Sequence, residues 1–271
     1  MTAATAPEIA IEQDVPFGTG GGETLRCDVY RGPNAAGAAA VLLLRTRAAP
    51  HVPGTKNELA MLLASDGMVS IVPEVRVGAR VTAKGFEPYA PEVWPAGIHD
   101  VKAAVRWTRA HAGELGVDAR GIFLLGYSNG GIMALGAAAR AGTPALEGDG
   151  GNDGVSSDVA GVIAFSTPTT LSTWGIPLIV GKDAPQAVID EASATRNVHP
   201  GFPPTMLLHG TDDPMIPPAK SVEMHEALRA HNVPSELHLF AGQGHDLIGQ
   251  PAFLPQLAGL ISLFVERYRG R

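Results

Sequence analysis

The feature that most constrains this chain is the alternation of short apolar runs with longer segments of helical periodicity. The apolar runs that we interpret as strands are Thr24–Tyr30, Ala39–Leu44, Met68–Val75, Gly121–Gly126, Val159–Phe165, Thr205–His209 and Ser235–Phe240. The segments that we interpret as helices are Asn57–Ser65, Ala96–Leu115, Ile132–Arg140, Gln186–Ala194, Ala219–His231 and Leu254–Tyr268. Such alternation is typical of βα units and predicts an α/β protein with a mainly parallel sheet.

Three stretches between these segments are interpreted as loops. Gly18–Gly22 predicts a glycine turn, and Thr167–Pro204 is irregular apart from its one short helix. Glu147–Asp158 is rich in Gly and Asp, but it lacks the spacing and the closing Glu of an EF-hand, so we expect a solvated loop there. Because no repeat or linker is evident, we expect a single domain over residues 1–271, and the segment Leu171–Pro200 is short enough to predict a small cap or none.

Composition narrows the class of function. The chain has 271 residues, 45% of them hydrophobic, which is enough to bury one large core. Its net charge is −7 and it has no cluster of Lys and Arg, which argues against nucleic-acid binding. The single cysteine, Cys27, excludes an intramolecular disulfide and is expected to be a buried structural thiol. The first ten residues lack signal-peptide features and no apolar run reaches the ~18 residues of a membrane span, so we expect a cytoplasmic protein without a membrane partner.

The clearest chemical motif is Gly126-Tyr127-Ser128-Asn129-Gly130. It follows an apolar strand and precedes a helix of small residues, which is the context that a nucleophile elbow requires. A turn this tight strains the backbone at the serine and needs small residues on both sides. We therefore predict Ser128 as a nucleophile at a helix N-terminus, where the backbone N–H of Asn129 and the helix dipole can stabilise an oxyanion.

A serine nucleophile needs a base, and the base needs an acid that orients it. The loop after the last strand candidate carries His245 between glycine-rich residues, and we predict it as the base. The turn after Thr205–His209 carries two adjacent carboxylates, which point in different directions; we favour Asp213 over Asp212 because it precedes a proline and an apolar turn. The chain order Ser128, Asp213, His245 is the order of α/β-hydrolases.

Four segments of the chain resemble the α/β-hydrolases of the esterase and lipase group, which includes carboxylesterases and feruloyl-esterase-like enzymes. They are DVPFGTGGGETLRCDVYRGP for the opening strands, VKAAVRWTRAHAGELGVDARGIFLLGYSNGG for the helix, strand and elbow, PPTMLLHGTDDPMIPPAKS for the acid turn and ELHLFAGQGHD for the histidine loop. The resemblance implies a mainly parallel eight-stranded sheet flanked by helices. It implies hydrolysis of small to medium carboxylic esters through an acyl-enzyme on Ser128, with no cofactor and no metal, on a fold that often forms homodimers.

The segment after Ala39–Leu44 departs from this group. A His-Gly-Gly-Gly stretch is usual there and donates backbone N–H groups to the oxyanion, whereas this chain reads RTRAAP from Arg45 onward. Some related enzymes have Arg-Thr-Pro-Tyr and use the tyrosine hydroxyl, but no tyrosine follows here. We predict that a backbone N–H near Arg47 or Ala48 is the second oxyanion donor beside Asn129.

Substrate contacts are predicted from position alone. Arg45, Arg47 and Arg76 follow strand ends, where ligands bind in α/β sheets, and an arginine there is suited to clamp a substrate carboxylate. The alternative is an internal salt bridge, for example with Glu74. The residues predicted to contact substrate are Arg45, Tyr127, Trp174, Met215 and Ile216, with Ile176 and Leu247 nearby; for each of the apolar ones a core position is the favoured alternative.

Two other classes of function stay open at this point. The same triad supports peptidase, lactonase, amidase or acyltransferase chemistry, and no motif separates hydrolysis from transfer. A non-catalytic ligand-binding protein is the third hypothesis, motivated by the missing glycines after Ala39–Leu44.

Overall fold

Nine strands form one sheet in the computed structural model, which describes residues 8–33, 35–46, 57–76, 79–82, 85–88, 94–171, 176–181 and 183–270. The strands in these ranges are β1 (Ala10–Gly20), β2 (Glu23–Arg31), β3 (Ala38–Leu43), β4 (Arg45–Thr46), β5 (Val69–Val75), β6 (Ala79–Thr82), β7 (Gly85–Pro88), β8 (Val117–Tyr127), β9 (Gly161–Phe165), β10 (Thr205–Gly210) and β11 (Ser235–Phe240). The helices are α1 (Glu58–Ser65), α2 (Ala96–Ala110), α3 (Ala112–Leu115), α4 (Asn129–Ala139), α5 (Pro144–Glu147), α6 (Ile176–Ile179), α7 (Gln186–Ala192), α8 (Ala219–Ala230) and α9 (Leu254–Tyr268), with a 3₁₀ turn at Ala194–Asn197.

The sheet order is β1-β2-β5-β3-β8-β9-β10-β11, and the two-residue β4 also pairs with β5. The strands from β5 to β11 in this order are parallel, while β2 pairs antiparallel with both β1 and β5. The order confirms the predicted α/β-hydrolase fold: its continuous path has the expected eight strands, and β4 adds a ninth. Strands β6 and β7 form a separate antiparallel pair.

The predicted elements differ from the observed ones mainly at the N-terminus. Strand β1 was not among the strand candidates, because most of its side chains are exposed and its pairing with β2 has two register shifts, so it shows no apolar alternation. The predicted turn at Gly18–Gly22 is shorter in the structure, where β1 continues to Gly20 and the chain reverses at Gly21 and Gly22 with positive φ. The predicted helix Ala96–Leu115 is interrupted at His111, which separates α2 from α3.

Helices cover both faces of the sheet, which explains why its central strands are apolar throughout. Every residue of β3, β9 and β10 is buried. One face packs against α2 and α4 through residues such as Ile98 and Met133, and the other against α1 and α9 through residues such as Leu63 and Phe264. Parallel strands end at the same edge of a sheet, so the segments that follow β3, β8 and β10 meet there.

Two further sequence expectations concern Cys27 and the Glu147–Asp158 loop. Cys27 is buried, as predicted, and burial raises the pKa of its thiol to about 12. The loop is held to helix α2 by cationic side chains: Lys102 Nζ donates to Glu147 Oε1 at 2.6 Å, and Arg109 Nη2 to the carbonyl of Asp158 at 2.6 Å. Ten of the twelve residues of this segment are exposed or partly exposed, in agreement with the expected solvated loop, and the cations of α2 neutralise its acidic start.

No helix within the described ranges is long and apolar enough to cross a membrane. In the same ranges, no group of three or more His, Cys, Asp or Glu side chains is arranged to hold a metal ion.

Candidate active site

The turn between β8 and α4 has the geometry of a nucleophile elbow. Ser128 has φ 52° and ψ −116°, a conformation that costs free energy in a non-glycine residue and that clusters at functional sites. Its backbone N–H donates to the carbonyl of Phe165 at 2.9 Å, which ties the elbow to β9. A Cβ added to Gly126 would lie 2.2 Å from the carbonyl oxygen of Gly130, so the turn closes only with glycine before the serine.

The loop after β11 brings His245 over the edge of the sheet to Ser128. The Ser128 hydroxyl donates to Nε2 of His245 at 3.1 Å, and the Nδ1–H of His245 donates to Asp213 Oδ2 at 2.7 Å. The side chain of His245 is 12% exposed and that of Asp213 is fully buried. The structure thus brings together the three side chains predicted as nucleophile, base and acid, although 117 residues separate Ser128 from His245.

The carboxylate of Asp213 is surrounded by N–H donors. Oδ1 accepts from the backbone N–H groups of Met215 at 2.8 Å and Ile216 at 2.9 Å. Burial alone would raise the pKa of Asp213, but the hydrogen bonds from Ile216, His245 and Met215 outweigh it and place that pKa below its usual value. The neighbouring Asp212 is exposed and accepts from the hydroxyl of Thr211, so it faces away from the histidine.

His209 also contacts Asp213, and the sequence reasoning missed this contact. The His209 side chain is fully buried, and its Nε2 lies 3.1 Å from Asp213 Oδ2 and 3.0 Å from the carbonyl oxygen of Ile216. Its Nδ1 lies 2.7 Å from Ser221 Oγ at the start of α8. The sequence held one signal for this contact. Asp213 comes four residues after His209, the last residue of the predicted strand, and this spacing lets the turn fold back onto the end of the strand.

Tyr127, which the sequence predicted as a substrate contact, lies beside the histidine. Its ring centroid is 5.1 Å from that of His245, with an angle of 45° between the ring planes. Burial raises the pKa of the Tyr127 hydroxyl, with further contributions from Asp246 and Asp213, so the ring stays neutral. The same tyrosine lines a cavity of about 360 Å³ together with Leu44, Ile248 and other side chains from β3, β5, α1 and α9.

Two of the three arginines predicted as carboxylate clamps, Arg45 and Arg76, form internal ion pairs. Arg45 donates to Asp28 Oδ2 and to Glu74 Oε1, each at 3.0 Å. Arg76 donates to the fully buried Asp100, with Nη2 to Oδ1 at 2.6 Å. The ion pair with Glu74 is the alternative that the sequence analysis gave for Arg45, and Asp28 on β2 is a second partner. The Arg45 side chain is still 26% exposed and lines the same cavity as Tyr127, so its role as a substrate ligand stays a prediction.

The remaining predicted residues fall into three groups. Met215 is 42% exposed, beside the acid, where a substrate can reach it. Ile216 is only 3% exposed, so its side chain belongs to the core and its backbone holds the acid, contrary to the predicted substrate contact. Trp174, Arg47 and Ala48 lie outside the described residues.

The start of helix α4 offers a donor for an oxyanion. The first N–H groups of a helix have no acceptor within the helix, and the N-terminal end carries a partial positive charge. Asn129 occupies this first position, directly after Ser128. The segment after β3 passes close by, because a Cβ added to Gly130 would lie 3.3 Å from the carbonyl oxygen of Leu44 and 3.5 Å from Cγ2 of Thr46.

Fold and site geometry together define an α/β-hydrolase. The sequence profile of the BD-FAE family matches residues 86–228, more than half of the chain, and the protein belongs to this family. Among curated proteins it is similar to Esterase LipQ of Mycobacterium tuberculosis, with 29% identity over 227 residues that cover 80% of this chain and 52% of LipQ. Esterase LipC of the same organism is 29% identical over 189 residues, which cover 64% of this chain and 47% of LipC. The chain thus spans about half the length of these relatives.

Solved structures show the same fold at low sequence identity. A truncated carbohydrate esterase from gut microbiota superposes with a TM-score of 0.77 at 18% identity, over 96% of this chain and 98% of that protein. The propionate-bound esterase Est2 of Thermogutta terrifontis superposes with a TM-score of 0.70 at 22% identity, over 98% of this chain and 96% of Est2.

Proposed function

We propose that this protein is a serine esterase that hydrolyses small to medium carboxylic esters through an acyl-enzyme on Ser128. The observation that carries the proposal is the unbroken series of hydrogen bonds from the Ser128 hydroxyl through His245 to the buried carboxylate of Asp213. The names of the similar proteins, two mycobacterial esterases and two structurally characterised esterases, support the same reaction class.

The acylation step follows from this geometry. Ser128 Oγ attacks the carbonyl carbon of the ester while Nε2 of His245 takes the hydroxyl proton, and the imidazolium that forms is stabilised by Asp213. The oxyanion develops at the start of α4, where the N–H of Asn129 points outward from the helix. When the tetrahedral intermediate collapses, the proton on His245 passes to the leaving alcohol oxygen, and the acyl group stays on Ser128.

Deacylation repeats the same steps with water. His245 removes a proton from water, the resulting hydroxide attacks the acyl carbon, and the acid product leaves as Ser128 regains its proton. Every proton is carried by His245, so the reaction needs no cofactor. The second oxyanion donor, predicted near Arg47 or Ala48, stays a prediction, as do the cytoplasmic location and the homodimer.

The experiment that tests the proposal is hydrolysis of p-nitrophenyl esters, from acetate to longer acyl chains, by the wild-type protein and by Ser128→Ala. We expect turnover that falls as the acyl chain lengthens and that drops to background in the variant. Ser65→Ala, which removes an exposed hydroxyl on α1, is the matched control and is expected to keep wild-type turnover. A folded wild-type protein that hydrolyses none of these esters would overturn the proposal.

A further inference from the structure

Asp213, the acid of the triad, accepts a hydrogen bond from a residue that takes no part in the proposed reaction. Each oxygen of Asp213 accepts two hydrogen bonds: Oδ1 from two backbone amides, and Oδ2 from His245 at 2.7 Å and His209 at 3.1 Å. His245 acquires and releases a proton in the proposed reaction. His209, fully buried at the end of β10, touches neither Ser128 nor a surface that a substrate can reach.

The protonation state of His209 follows from its neighbours. Nε2 faces two acceptors, the carboxylate of Asp213 and the carbonyl of Ile216, so it must carry a hydrogen. Nδ1 lies 2.7 Å from Ser221 Oγ, whose hydroxyl can donate to it when the ring is neutral. Burial lowers the pKa of His209, which agrees with a neutral ring.

We propose that His209 is a positioning residue for Asp213. Ser221 holds the His209 ring, and the Nε2–H of that ring shares Asp213 Oδ2 with His245. This sharing limits the negative charge that the carboxylate presents to His245. The inference rests on the proposed esterase function. A neutral donor shares the carboxylate without adding a competing positive charge, so His245 still gains stabilisation when it becomes an imidazolium.

This role differs in its consequences from simple packing. His209 also bonds the carbonyl of Ile216, so it connects the end of β10 to the turn that holds Asp213. If this connection were its whole contribution, replacing it would lower stability or activity at every pH alike. If it limits the charge on Asp213, its removal makes His245 bind its proton more tightly, and activity is lost at a higher pH as the solution is acidified.

Other titratable groups lie on the elements packed around this network and have to stay constant in the test. They are Tyr127 of β8, Lys220, Glu223, His225 and Glu226 of α8, Glu236 and His238 of β11, and Asp212 and Asp246 of the adjoining loops. Lys220 and Glu223 pair with each other at 2.8 Å, and Asp212 bonds to Thr211. The proposed variants change none of these groups.

The test is the pH profile of kcat/KM for p-nitrophenyl acetate, since that profile reports the free enzyme's essential groups. In His209→Leu we expect the acid limb to move up by about one pH unit, a tenfold change in proton affinity. In His209→Gln, whose amide nitrogen can replace Nε2–H, we expect the limb to return close to its wild-type position. His231→Gln, which replaces an exposed histidine just after α8, is the matched control and is expected to leave the profile unchanged.

Ser221→Ala keeps the experiment informative if His209→Leu does not fold. It retains the ring but removes the hydroxyl that orients it, so the limb should move in the same direction by less than in His209→Leu. Variants that lose rate at all pH values with an unmoved acid limb would overturn the inference and leave His209 as a packing residue. An inactive wild-type protein would instead overturn the proposed function, so the two failures are distinguishable.

Discussion

Two acidic sites in this protein use carboxylates in opposite ways. Asp213, at the edge of the sheet, receives its hydrogen bonds from two backbone amides and two imidazoles. Glu147, at the end of α5, accepts from the ammonium of Lys102 at 2.6 Å and the guanidinium of Arg106 at 3.1 Å. The first carboxylate is held by neutral donors and the second by permanent cations.

The difference explains what each site can do. Neutral donors hold Asp213 in place without cancelling its charge, so the charge is available to stabilise an imidazolium that exists only during turnover. The cations around Glu147 cancel its charge permanently. That arrangement suits a structural task, and here it attaches the Glu147–Asp158 loop to α2, where Lys102 is fully buried.

Replacing the carboxylate in the first site is expected to have the largest effect on the protein's activity. In Asp213→Asn, the amide oxygen is expected to stay with the backbone N–H groups of Met215 and Ile216, so that the NH2 group faces Nδ1 of His245 and donates to it. The imidazole then adopts the wrong tautomer, and kcat for p-nitrophenyl acetate falls by about 10⁴-fold. Asp212→Asn, one residue away and exposed, is the control and should keep wild-type turnover. An equal loss in both variants would show that the turn as a whole, rather than the Asp213 carboxylate, supports activity.

The corresponding change at the second site should affect stability and spare activity. Glu147→Ala leaves Lys102 and Arg106 buried without their acid, and breaking a buried pair in this way costs about 3 kcal/mol of unfolding free energy. The cost is at the low end of the usual range because the Glu147 side chain is 26% exposed. Urea denaturation measures it, with Glu223→Ala, which breaks an exposed pair with Lys220, expected to cost under ~1 kcal/mol.

A loss of activity in folded Glu147→Ala comparable to that of Asp213→Asn would remove the distinction between the two sites. We expect kcat within about twofold of the wild-type value, since independent sites act additively.

Replacing Lys102 instead of Glu147 should cost less unfolding free energy. Lys102→Met replaces a buried ammonium by an apolar side chain of similar length, while Glu147 keeps Arg106 and the hydroxyl of Ser157 at 2.9 Å. We expect a loss of about 1 kcal/mol by urea denaturation. A loss larger than that of Glu147→Ala would mean that Lys102 contributes net stability despite its burial.

The smallest effect is a pH dependence of stability from the same lysine. Burial lowers the pKa of Lys102 below its ordinary value of 10.5. Between that lowered pKa and 10.5 the unfolded chain binds more protons at this position than the folded one, so unfolding free energy rises with pH, by at most ~1.4 kcal/mol per pH unit. The difference between wild type and Lys102→Met, measured by urea denaturation at several alkaline pH values, isolates this contribution; a difference that falls with rising pH would contradict it.

The features of the fold and of the site that could be predicted from the sequence are those that a local pattern of residues encodes. The alternation of apolar runs and helical segments was enough for an α/β protein with a mainly parallel sheet, and the resemblance of four segments narrowed it to the α/β-hydrolases. A glycine-bounded serine between strand and helix was enough to predict Ser128. His245 and Asp213 were found because each follows a strand, and parallel strands deliver such residues to one edge of the sheet.

Contacts between distant segments could not be predicted in this way. For Arg45 the sequence offered Glu74 as an alternative partner but gave no sign of Asp28, which reaches it because β2 is the neighbour of β5. The contact of His209 with Asp213 depends on how one turn folds back. Strand β1 lacks an apolar alternation because it lies at the sheet's edge, where most of its side chains meet solvent.

The central claim, that Ser128 is a nucleophile activated by His245, is tested most directly by intact-protein mass spectrometry after reaction with a fluorophosphonate. The account predicts one adduct per wild-type chain, mapped by peptide analysis to Ser128, and none in Ser128→Ala or in urea-unfolded wild type. A folded wild-type protein that gains no adduct, or one modified at a different serine, would contradict it.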